Sequence, residues 1–97
     1  MRREIKLDRS LEDMPMNPAE IEAIKRRSAA ATPGPWVEHI EARDGLSGSD
    51  VISTGGEDIY MPGASVADYV FVAKARTDVP RLVAEIERLR ALLDQPI

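Results

Sequence analysis

The chain has 97 residues with one histidine, no cysteine, one tryptophan, two tyrosines, one phenylalanine and a formal charge of −4. That length suits one small domain, since domains usually run about 50 to 200 residues, and a chain of this size hides only roughly 65% of its unfolded surface, so association with other copies is expected. The absence of cysteine removes disulfides, thiolate nucleophiles and cysteine-based metal sites; one histidine leaves no multi-histidine site, and the acidic balance runs against a general nucleic-acid binder.

The opening MRREIKLDRSLED mixes Arg2 and Arg3 with Glu4, Lys6 and Asp8, so it reads as the start of a cytosolic chain and not as an export leader. The longest apolar run, Val66 to Ala73, is interrupted by Asp68 and is far shorter than the roughly 20 residues of a membrane span. Residues 1–16 are read as an arm, because Ile5 and Leu7 alternate as in a strand while Leu7 and Leu11 suit a helical turn. Residues 17–97 are read as one α+β domain.

Asn17-Pro18-Ala19-Glu20 predicts a helix start, with a capping side chain, a proline where no N–H is needed and a glutamate three residues after the cap. The helix should reach about Ala31, turning Ile21, Ile24, Ser28 and Ala31 inward, with Lys25-Arg26-Arg27 as a solvated C-terminal cap. Thr32-Pro33-Gly34-Pro35-Trp36 is a rigid turn that stops it. Residues 36–40, 50–54 and 57–61 then predict a three-stranded antiparallel meander, with turn chemistry at Asp44-Gly45, Ser47-Gly48 and Gly55-Gly56. Ser65-Val66-Ala67-Asp68 has the spacing of a capping box and opens a helix over 66–76. Thr77-Asp78-Val79-Pro80 predicts a second start, with Thr77 as cap. In that last helix Val79, Leu82, Ile86, Leu89 and Leu93 repeat with the rhythm of a coiled-coil seam, suited to self-association through 79–93.

Two segments stand out: Ala31-Thr32-Pro33-Gly34-Pro35-Trp36, and Ala67-Asp68-Tyr69-Val70-Phe71-Val72-Ala73-Lys74-Ala75-Arg76 followed by an amphipathic helix. Together they resemble the small Ead-like accessory proteins of bacteriophages and prophages, over about residues 19 to 93. The second motif departs from that pattern at Tyr69, where the family has a small residue. The resemblance implies a phage setting and a helix–sheet–helix fold, but no reaction.

Trp36, the single tryptophan, is read first as a plug between sheet and helices and second as a stacking platform for a flat ligand. In the first reading Asp68 would accept the indole N–H or hold the amides of the proline turn. Phe71 is expected to pack inward with Asp68, Val72 and Ala75, while Tyr69 and Arg76 leave that face. Lys74, Arg76 and Thr77 form the best phosphate-binding constellation, because a guanidinium reads phosphate in bidentate fashion and the amides after Thr77 would form a helix N-terminus. His39, on a strand, has no second histidine and no nucleophile at a recognisable spacing; the pairs Glu57-Asp58 and Glu85-Glu87 read as solvated charge. No metal or cofactor is expected. In a phage setting these residues suggest a non-enzymatic, homo-oligomeric binder, an anti-defence sponge that takes up a nucleotide signal through Trp36, Tyr69, Phe71, Lys74, Arg76 and Thr77 in the host cytoplasm. The alternative is a module that binds and inhibits a host protein.

Overall fold

The computed structural model describes residues 14–45 and 48–95. Five elements follow in order: α1 (Pro18–Ala30), β1 (Val37–His39), α2 (Glu41–Asp44), β2 (Val51–Ser53) and α3 (Val66–Leu93). Most of the expected arm, 1–13, lies outside the described residues.

α1 begins as its local chemistry dictates. The Asn17 side chain accepts the Glu20 N–H at 2.8 Å, and the Glu20 carboxylate accepts the Asn17 N–H at 2.8 Å, which satisfies two amides that a helix start leaves without partners. Ser65 and Asp68 make the same reciprocal pair at the start of α3, at 3.1 and 3.0 Å. Asp68 therefore serves its own helix and not the indole of Trp36.

The sheet has two strands, β1 and β2, antiparallel with Glu38 opposite Ile52. The expected third strand is reduced to one bridge, in which Ile52 and Ile59 exchange both backbone bonds at 2.9 Å. In an antiparallel ladder the next such pair would join Met61 to Asp50. Instead the Met61 N–H donates to the Tyr69 hydroxyl at 2.8 Å, and Pro62 after it has no N–H to give, so pairing stops. The expected turn after Ile40 contains the short α2, whose chain exits through Gly45 at a φ of 72°.

The two expected C-terminal helices are one. α3 runs unbroken through Thr77 and carries Pro80 in its interior. Its first third lays Tyr69 and Ala73 on Ile40 and Ile52, which are 1% and 0% exposed and form the centre of the core. Further along, Val83 is buried while Val79 and Ile86 are half-buried, on the side where α1 packs and buries Ile21. Lys25 and Glu87 bridge the two helices at 3.2 Å, and Arg90 donates to the Met16 carbonyl at 2.8 Å. Leu82, Leu89 and Leu93 of the expected seam stay exposed. Among the described residues no helix is long and apolar enough to cross a membrane.

Candidate functional site

The turn after α1 fixes the site. Ala31 is extended, so the helix ends there and the Thr32 carbonyl points free of any helical ladder. That oxygen accepts two bonds, from the Trp36 indole N–H at 3.1 Å and from Arg76 Nε at 2.8 Å. Arg76 Nη1 also donates to Ser28 Oγ at 3.2 Å, so one guanidinium straps the end of α1 and the turn onto α3. The turn lies so close to α3 that a Cβ on Gly34 would sit 3.2 Å from Arg76 Cγ, so any larger residue there would have to push the strapping side chain aside.

Above this strap lies an open groove of about 350 Å³. Ile24 and Arg27 of α1, with Ala31 just past its end, form one wall; Phe71, Ala75, Arg76 and Val79 of α3 form the other, and Trp36 lines the groove with them. Trp36 is half-buried and packs against the core cluster on its inner side. Phe71 is 73% exposed. Arg27 makes no hydrogen bond or ion pair among the described residues, and Arg76 spends two of the N–H donors of its guanidinium, leaving Nη2 uncommitted. The polar side-chain groups of the groove are thus two cations, the Ser28 hydroxyl and the indole N–H already bound to Thr32, set in apolar walls. Such a site can stack against a planar group and neutralise negative charge.

Of the six residues expected to bind ligand, three converge here: Trp36, Phe71 and Arg76. Phe71 was expected to pack inward, but it points out. Successive positions on a helix turn by about 100°, and the inward place is taken by Tyr69, whose ring fills the core while its hydroxyl meets Met61. Tyr69 is therefore 4% exposed and unavailable to a ligand. Lys74 points away from the groove, toward the Glu38 carboxylate at 3.9 Å. Thr77 lies in the middle of α3, so the amides that follow it belong to the helical ladder and form no anion site. The sequence reading missed Arg27, which it assigned to a solvated cap.

It also missed the charge cluster at the far end of β1. Glu38 is buried, its Oε2 accepts from Arg43 Nη1 at 3.2 Å, and its Oε1 has no hydrogen-bond partner among the described residues. Its own backbone amide, then Arg43 and Lys74, hold this carboxyl below the ordinary range against the opposing effect of burial. Arg43 grips Asp44 with two bonds of 2.8 Å, and Asp44 Oδ2 also accepts the Ile40 N–H at 2.8 Å. The guanidinium first and the Ile40 amide second pull the Asp44 carboxyl down to about 2. A carboxyl depressed on folding adds stability that is present above its unfolded value, near 4, and is lost as pH falls toward 2. Urea midpoints of the native chain and of Asp44→Asn should accordingly differ at pH 6 and converge between pH 4 and 2; a constant gap would show that Asp44 acts without its charge. Glu38 leaves a residual acid sensitivity in the variant.

Among the described residues no group of three or more histidine, aspartate or glutamate side chains could hold a metal ion. Comparison of the chain with known protein families, with characterised proteins and with solved structures finds no match.

Proposed function

We propose that this chain is a non-enzymatic binder of a flat, anionic small molecule. In the setting that the motif resemblance implies, it is a phage-encoded anti-defence sponge that sequesters a nucleotide signal in the cytoplasm of the infected host. One observation carries the reading: the fold draws Trp36, Phe71, Arg27 and Arg76 from three separate segments into one open groove. A base has exposed aromatic surface to stack on, and a phosphate has Arg27 and Nη2 of Arg76, neither of them engaged among the described residues, to pair with. These groups donate and stack, which suits capture of a ligand that leaves chemically intact. Lys74, Thr77 and Tyr69 have no part in this version of the site.

A thermal-shift screen against cyclic di- and trinucleotides and ADP-ribose derivatives tests it. One class should raise the melting temperature and be recovered unaltered after denaturation. Stacking contributes about 1–3 kcal/mol per base, and a hydrogen bond to a charged group about as much, so Phe71→Ala and Arg27→Glu should each weaken binding by roughly 10- to 100-fold. Both side chains are exposed, so the fold should survive. A screen with no shift for any compound would sink the proposal.

A further inference from the structure

α3 displays more apolar surface than its own chain covers. Leu82 is 60% exposed and Leu93 84%, and Phe71, Leu89 and Leu92 are exposed as well. At 100° per residue, Phe71, Ala75, Leu82, Leu89 and Leu93 fall within about 40° of one another, a narrow stripe along the helix. One edge of this stripe is closed, since Val79 and Ile86 turn toward α1. The other edge is open and carries Asp78, Arg81, Glu85 and Arg88, which surround Leu82.

The order of those four charges is minus, plus, minus, plus. Reversed end for end it becomes plus, minus, plus, minus, and the two orders match about the level of Val83: Asp78 falls opposite Arg88, and Arg81 opposite Glu85. Two antiparallel helices related by a twofold axis set the same flank against itself, so this reversal is the one that matters. A parallel pair would set the charged flank against the edge already occupied by α1.

We propose that the exposed stripe of α3 is the contact surface for a second copy of this chain, with the two helices antiparallel and centred at Val83. In this register the Leu82 side chains of the two copies are neighbours. Leu89 and Leu93 of the second copy fall level with the gaps between Phe71, Ala75 and Leu82, so the apolar side chains interleave. The leucines supply the affinity and the charges set the direction, because exposed ion pairs contribute little each but penalise wrong pairings. Glu85 is already bound to Arg88 of its own helix, through bonds to both carboxylate oxygens, and each oxygen keeps a further lone pair for an Arg81 guanidinium. Phe71 and Ala75 belong both to this stripe and to the wall of the groove, so a second copy and a ligand stacked on Phe71 compete for one surface, and the association is measured on the ligand-free chain.

Sedimentation equilibrium on the full chain at micromolar concentrations should give a dimer. Leu89→Glu should raise its dissociation constant at least tenfold without altering the circular dichroism spectrum. Glu85→Arg should weaken it by about tenfold at low salt, and the exchange Arg81→Glu with Glu85→Arg, which restores opposite charges across the axis, should return it to within about threefold of the native value. Because the chain has no cysteine, a spin label at Leu93→Cys reports direction cleanly. The labels should lie roughly 30 Å apart in the antiparallel dimer and within about 15 Å in a parallel one. A monomer at 100 µM, including one that holds a host protein on this stripe, overturns the proposal. So does a dimer indifferent to Glu85→Arg, a charge exchange that fails to rescue, or a short label distance.

Discussion

Replacing Ile52 with alanine is expected to leave much of the protein unfolded at 37 °C. Ile52 is fully buried, lies opposite Glu38 of β1, bridges Ile59 on its other side, and packs in the cluster with Ile40, Tyr69 and Ala73. Truncating such a side chain costs about 2–5 kcal/mol, partly in lost transfer energy and partly in the cavity left behind. Domains of ordinary size are stable by about 5–15 kcal/mol, and one with so small a core belongs at the low end of that range. Urea denaturation followed by circular dichroism measures the loss; a cost below about 1 kcal/mol would show that stability resides elsewhere, in the α1–α3 contact.

Replacing Pro80 with alanine should have the opposite effect, raising stability by about 1–3 kcal/mol. Pro80 lies inside α3, where its missing N–H leaves the Arg76 carbonyl without a helical partner and its ring crowds the preceding turn. Alanine restores the donor and is the best helix former. The expected result is a higher melting temperature and slightly greater helicity. A fall would mean that the packing of the ring beside Ser28 and Ala29 outweighs the lost hydrogen bond. The residue whose carbonyl regains a partner is the one that straps the proline turn, so the variant also reports whether the groove depends on that carbonyl being left out of the helical ladder.

The same proline shows where local reading ends. Asn17 with Glu20, and Ser65 with Asp68, announced two helix starts correctly because each box closes within a single turn. Thr77 with Pro80 presents similar signals, yet no start forms there. α3 is held on one side by Ile40 and Ile52 against Tyr69 and Ala73, and on another by α1 against Val83, and this packing outweighs a local preference to break. The third strand failed for a related reason: the Met61 amide is taken by a hydroxyl eight residues on, a partner that alternation of side chains cannot reveal. The expected inner face of Phe71 with Asp68, Val72 and Ala75 left Tyr69 outside, but Tyr69 can be buried because its polar tip finds that amide. As for the site, Trp36, Phe71 and Arg76 were identifiable as unusual residues, while Arg27 joins them only through the packing of α1 on α3.

The continuity of α3 also governs how the groove can receive anything. Had the chain broken at Thr77, the part resting on the sheet and the part resting on α1 could swing about a hinge and clamp down on a guest. As a 28-residue rod, α3 ties both together, and the wall that carries Phe71 and Arg76 keeps its distance from the wall that carries Arg27. The groove is thus a slot with no hinge in its α3 wall: a molecule that fits it forfeits little further ordering of that wall on binding, and one that is too wide must displace α1 to enter.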